Sequence, residues 1–153
     1  MRQTLQNAMK DALKARDARR LSTLRLVLAA LKDRDIAQRT QTSRELSGDD
    51  DILSLLAKMI KQREESVAAY DAGKRPELAQ GEREEIAIIR SFMPPQMDEA
   101  AIKEAAQKTI CELDAGGIKD MGKVMAAMKE RYAGQMDFGR ASALVKEKLS
   151  APR

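Results

Sequence analysis

Apolar residues recur at helical spacing along most of this chain. Leu5, Met9, Ala12 and Leu13 fall at i, i+4, i+7 and i+8, which predicts an amphipathic helix over about residues 3–15. Lys10 and Lys14 lie one turn apart, off that stripe. A second helix is expected over 19–39, with Leu21, Leu24, Leu28 and Leu31 on one face. Its run Leu26-Val27-Leu28-Ala29-Ala30-Leu31 is apolar all round, which predicts a central helix covered on several sides. Residues 40–48 are polar and read as a loop. Asp49, Asp50 and Asp51 then open a third helix, where negative charge suits the helix dipole. Its stripe is Ile52, Leu55, Leu56, Met59, Ile60, Arg63, Val67 and Tyr70.

Gly73-Lys74-Arg75-Pro76 makes a sharp break, and Pro76 suits the first turn of a fourth helix running to about Phe92. That helix carries Leu78, Ile86 and Ile89, with Gly81 weakening its middle. Pro94-Pro95 is the strongest boundary, because two prolines cannot continue a helix and the residue before them is pushed toward extended geometry. The expected division is 1–94 and 95–153. Asp98 caps a fifth helix, with Ile102, Ala106, Thr109, Ile110 and Leu113 on one face and Gly116-Gly117 at its end. Two more helices are expected from Asp120 and Asp137. No alternating Val, Ile or Thr run suggests a strand. The expected fold class is all-α.

The last two helix starts echo each other. Asp120-Met121-Gly122-Lys123-Val124 and Asp137-Phe138-Gly139-Arg140-Ala141 both run Asp, large apolar, Gly, basic, apolar. Asp at an N-cap accepts a hydrogen bond from a free first-turn N–H. A Gly there uncovers the backbone, and a neighbouring cation opposes the dipole at some cost. Two readings follow: a phosphate site at a helix N-terminus, or glycines that let helices pack closely.

Composition narrows the chemistry. Of 153 residues 43% are hydrophobic but only 3% aromatic, so the core must be Leu, Ile, Val, Met and Ala, with nine Met as adaptable packing. Net charge is +4, unevenly spread. Residues 1–44 hold eleven Lys and Arg against four Asp, a net +7; residues 45–94 hold seven against eleven, a net −4; residues 95–153 hold ten against nine, a net +1. The basic first third either binds a polyanion or pairs internally with the acidic middle. One Cys excludes an intrachain disulfide, which fits a reducing cytoplasm. With no signal or transit segment visible, the expected location is cytoplasmic. The longest apolar run is too short to cross a bilayer, so no membrane is expected as a partner.

No His is present, which removes the side chain best suited to proton transfer near neutral pH and the activation of Ser or Cys that depends on it. Cys111 falls opposite the Ile102 stripe beside Gln107 and Lys108 and reads as a partly exposed thiol with no base partner. Asp49-Asp50-Asp51 lacks the alternating spacing of a calcium loop. No Walker loop or dinucleotide fingerprint occurs. No catalytic residue, metal site or cofactor is therefore expected. The candidate binding residues are basic: Lys119 and Lys123 with the N–H groups near Gly122, then Arg25 in the second helix, Lys61 and Arg63 in the third, and Arg140 in the second echo. Such contacts hold a nucleic-acid backbone without reading sequence, and a chain with four Phe and Tyr has little for base stacking.

Several segments together carry a family resemblance: Leu21-Ser22-Thr23-Leu24-Arg25-Leu26, Lys61-Gln62-Arg63-Glu64-Glu65-Ser66, Tyr70-Asp71-Ala72-Gly73-Lys74-Arg75, Phe92-Met93-Pro94-Pro95-Gln96-Met97 and Lys119-Asp120-Met121-Gly122-Lys123-Val124-Met125. Over nearly the whole chain they resemble the YqeY family, whose C-terminal part is related to the tail domain of GatB, the tRNA-binding subunit of the glutamine-dependent tRNA amidotransferase. The resemblance implies an N-terminal helical region followed by a compact GatB-tail-like helical domain. It implies tRNA as a partner, an aminoacylation or amidotransferase enzyme beside it, and a family label of carbon–nitrogen ligase with glutamine as amide donor. The catalytic parts of that enzyme have no counterpart here. Where many relatives read Gly-Arg-Ala-Asp-Gly near the last turn, this chain has Gly134-Gln135-Met136-Asp137-Phe138, losing the basic position. The readings left standing are a tRNA-binding accessory protein, a module docking on a partner enzyme through Met-rich helices, and a true amidotransferase, against which the missing His counts.

Overall fold

The computed structural model describes residues 1–39 and 46–151. Most of the expected 40–48 loop therefore lies outside the described residues. Among the described residues seven α-helices follow one another: α1 (Arg2–Lys14), α2 (Ala18–Gln38), α3 (Asp49–Ala72), α4 (Pro76–Arg90), α5 (Glu99–Glu112), α6 (Met121–Arg131) and α7 (Phe138–Ser150), with a short 3-10 turn at Ile118–Asp120. Among the described residues there is no strand. The chain is all-α, and it divides into two compact units, Met1–Met93 and Pro94–Arg153.

The N-terminal unit is built on Leu5, Leu24, Val27, Leu31, Ile52, Leu56, Ile86 and Ile89. The three-residue link between α3 and α4 makes them antiparallel neighbours. Ion pairs cross between them: Arg63 with Glu85 at 2.9 Å, Arg83 with Asp71 at 2.6 Å and Arg90 with Glu64 at 2.6 Å. An open cleft is lined by Glu64, Val67, Arg83, Ile86, Ala87 and Arg90.

Gly81 does not interrupt α4. The Arg19 guanidinium lies over it, donates to its carbonyl at 3.3 Å and pairs with Glu84 at 2.7 Å. A Cβ at Gly81 would come within 3.2 Å of that guanidinium, so the glycine makes room for it.

A second set of contacts joins the start of α1 to the end of α2. Arg2 grips the buried Asp35 carboxylate through two hydrogen bonds of 2.9 and 3.1 Å, and the Ser47 N–H donates to the same group at 2.9 Å. The Arg2 guanidinium and the Ser47 donors hold this carboxyl down at a pKa of about 2, against the opposing effect of burial.

The expectation that α2 is covered on several sides needs correction. α1, α3 and α4 all pack on α2, and they cover the face of Leu24, Val27 and Leu31. Leu26 and Ala29 remain exposed despite lying in the all-apolar run. The charge readings are also resolved in part. Arg34 with Asp51 and Arg19 with Glu84 tie the basic first third to the acidic middle, whereas the side chains of Arg25, Lys32 and Arg39 have no partner among the described residues.

The C-terminal unit packs α5, α6 and α7 pairwise around Ile102, Ala105, Ala106, Val124, Met128, Met136, Ala141 and Val145. Gly134, at φ 71, turns the chain between α6 and α7. The segment after Pro95 is fastened to that turn: Met97 N–H donates to the Gln135 carbonyl at 2.7 Å, and the Gln96 amide to the Gly134 carbonyl at 2.7 Å.

Helix starts follow local chemistry. Asp17, Asp98 and Asp137 each accept a first-turn N–H, and Pro76 opens α4. Helix ends do not follow the glycines. α5 stops before Gly116-Gly117, with Asp114 at φ 47 in the left-handed region. Ala115 N–H bonds back to the Ile110 carbonyl and Asp114 N–H to that of Cys111, the paired return of a Schellman end. The same geometry ends α1 at Arg16 (φ 55) and α3 at Lys74 (φ 56), next to rather than on Gly73.

Candidate nucleic-acid interface

Three of the seven candidate residues come together at the junction of the 3-10 turn and α6. Lys119, Gly122 and Lys123 are all exposed there. The lysines stand about one helical turn apart, and neither side chain has a partner among the described residues. Packing of α6 and α7 on the 3-10 turn, and burial of Val124 and Met128, hold the junction in place. Beside it Ile118 is 54% exposed, the one large apolar side chain so exposed among the described residues of this unit. Sequence reading passed over Ile118; its position directly after two glycines was the available signal.

The two echoes differ at the aspartate. Asp137 has extended backbone (ψ 111), and its carboxylate accepts the Gly139 N–H at 2.8 Å. Asp120 was expected to do the same and does not. The 3-10 turn starts the helix one turn early, so Asp120 already has helical backbone (φ −89, ψ −1) and makes no cap bond to α6. Its carboxylate reaches back instead to the Gly116 N–H at 2.9 Å. An N-cap needs non-helical backbone for its side chain to reach forward, which accounts for the difference.

The glycines differ as well. A Cβ at Gly139 would lie 3.1 Å from the capping Asp137 oxygen, so that glycine belongs to the cap. A Cβ at Gly122 would meet nothing within 4 Å, and Gly122 does not have positive φ. Close packing of helices, one of the two readings from sequence, does not account for Gly122 within this chain.

The other candidates are dispersed. Arg140 is exposed in the first turn of α7, with no partner among the described residues. Arg25 and Lys61 are exposed on α2 and α3 of the N-terminal unit and are likewise unpaired. Arg63 is different: its side chain is 13% exposed, its guanidinium is bonded to Glu85 and to the Met59 carbonyl, and it acts as a tie between helices. Cys111 is exposed, with the Gln107 amide 3.3 Å from its sulfur. Among the described residues no three His, Cys, Asp or Glu side chains are placed to hold a metal, and no helix is long and apolar enough to cross a membrane.

Comparison with known proteins gives the same family over most of the chain. The Yqey-like proteins match residues 2–149. Curated relatives include three fungal proteins, each named "Altered inheritance of mitochondria protein 41, mitochondrial". That of Saccharomyces cerevisiae (strain YJM789) is 29% identical over 108 residues, 69% of this chain and 56% of the yeast protein. That of Clavispora lusitaniae is 28% identical over 141 residues, covering 90% of this chain and 78% of the relative. That of Pyrenophora tritici-repentis is 25% identical over 132 residues, covering 83% and 70%. The matched stretch thus spans little more than half of the yeast protein. The names correct one expectation: relatives assigned to mitochondria conflict with a purely cytoplasmic location. A single Cys is compatible with a reducing environment, and that is not unique to the cytoplasm.

Proposed function

We propose, from the premise that this chain belongs to the YqeY family, that it is an accessory protein which binds tRNA through its C-terminal unit. The contacts assigned are Lys119 and Lys123 to phosphate oxygens, with the uncovered backbone at Gly122 between them. Arg140 is a secondary candidate on the same unit, and Arg25 and Lys61 are separate, secondary candidates on the N-terminal unit. Arg63 is left out because Glu85 already neutralises it. The observation that carries this reading is Gly122: exposed, set between unpaired lysines, and required by neither its own backbone angle nor its neighbours. Glycine in a first helical turn allows a backbone or phosphate to approach closely.

A relation to the GatB tail would make the RNA a substrate of glutamine-dependent amidation, with this chain positioning the tRNA while a partner enzyme performs the carbon–nitrogen bond chemistry. Catalysis by this chain itself is not proposed. It has no His, and among the described residues the hydrogen-bond partner of the exposed Cys111 is the Gln107 amide, which is no base.

Equilibrium binding of bulk tRNA to the full chain tests the site. Lys119→Ala with Lys123→Ala should weaken binding more than Lys146→Ala, which removes an exposed lysine elsewhere on the same unit. Equal losses would argue against a local site. Glutamine-dependent amide formation by the purified chain alone would overturn the accessory role.

A further inference from the structure

The exposed side of α2 carries an ordered pattern of which the proposed tRNA contacts use only Arg25. Ser22, Leu26, Ala29, Asp33 and Ile36 recur at alternating steps of four and three, and all five are exposed. Leu26 is 52% and Ile36 56% exposed. Steps of four and three place residues in one seam along a helix, as the a and d positions of a heptad do. The buried residues Leu24, Val27 and Leu31 lie on the opposite side. Along one edge of the seam Arg25, Lys32 and Arg39 recur every seventh residue. All three are exposed, and their side chains have no partner among the described residues. The intervening Arg34, off this edge, is paired with Asp51. The other edge has Thr23, which is buried, then Ala30 and Ala37, small enough for close approach of another helix.

We infer that this face docks an amphipathic helix of a partner protein, one that brings an apolar seam and a row of Glu or Asp facing Arg25, Lys32 and Arg39. Charge complementarity selects this occupant, since flanking charges in helix pairs set partner choice. An antiparallel second copy would set cation against cation, and a parallel one would set the cations against the alanine edge with no charge to meet them. A nucleic-acid backbone would use the cations but leave Leu26 and Ile36 without a role. A lipid surface is disfavoured by Asp33, which lies in the middle of the seam. In a helix pair, a polar residue at such a position fixes register at some cost in stability.

The test uses the full chain and two synthetic helical peptides of about three heptads, each with Leu in its seam, one flanked by Glu and the other by Lys. Binding is read by fluorescence anisotropy, and circular dichroism confirms that each variant keeps its helix content. The Glu-flanked peptide should bind at least about tenfold more tightly than the Lys-flanked one. Leu26→Glu with Ile36→Glu should abolish that binding, and Arg25→Glu with Lys32→Glu and Arg39→Glu should reverse the preference. Absence of binding by either peptide, equal binding of both, or binding indifferent to Leu26→Glu with Ile36→Glu would overturn the inference. So would the Glu-flanked peptide failing to bind while bulk tRNA or phosphatidylglycerol vesicles bind and are released by those same substitutions. Because the seam lies on the N-terminal unit, loss of tRNA binding in the Lys119 and Lys123 variant leaves this result unaffected.

Discussion

The Asp120 carboxylate accepts the Gly116 N–H at 2.9 Å and is thereby committed to the loop before α6 rather than to the helix itself. Its counterpart Asp137 turns forward onto Gly139 and closes the start of α7. Two stretches that read alike in sequence therefore end in opposite arrangements. Only the first leaves a glycine without a structural task, beside two lysines whose side chains have no partner among the described residues.

Gly122→Ala separates ligand approach from folding. Nothing lies within 4 Å of the added Cβ, so the substitution should stabilise the chain by about 0.4–1 kcal/mol, through a less flexible unfolded state. If a phosphate or backbone approaches Gly122, tRNA affinity should fall even as the melting temperature rises. A rise in stability with unchanged affinity would remove Gly122 from the site.

Asp35 should give acid sensitivity to the N-terminal unit. Its folded pKa is depressed from 3.8 to about 2, so its stabilising contribution is complete above about pH 4 and is lost as pH falls toward 2. The contribution is about 2 kcal/mol. Asp35→Asn should lower stability at neutral pH and flatten the pH dependence in that window, as read by denaturant titrations from pH 2 to 5. An unchanged pH profile would show that the Arg2 contact contributes little.

Lys74 holds the left-handed position that ends α3, with Gly73 beside it in an ordinary conformation. Lys74→Gly should relieve left-handed strain, offset in part by glycine's greater unfolded freedom, for a net gain of about 0.5–1 kcal/mol. Thermal unfolding measures it. A loss of stability would mean that the lysine side chain contributes more than its backbone costs.

The helix starts were legible because a cap is local: Asp98, Asp137 and Pro76 act within a few residues of themselves. The ends were less so. Gly116-Gly117 looked like the stop of α5, yet the chain turns at Asp114, where the return bonds from Ala115 and Asp114 can form. Arg63 illustrates the limit for the candidate site. It fell on the apolar stripe and read as a possible ligand contact, but its partner Glu85 comes from the next helix, a pairing fixed by the packing of α3 on α4. Likewise, the apolar run from Leu26 to Leu31 recorded that α2 has an apolar surface, and not how much of it the other helices cover.

Salt dependence of tRNA binding tests the central claim most directly. Each phosphate neutralised should contribute about 0.7–0.9 to the slope of log affinity against log salt. Lys119→Ala with Lys123→Ala should therefore weaken binding at low salt and flatten the slope by about 1.5. Binding whose slope is the same in that variant as in the unmodified chain, or no salt-sensitive binding of tRNA at all, would contradict a phosphate-contact site at the start of α6.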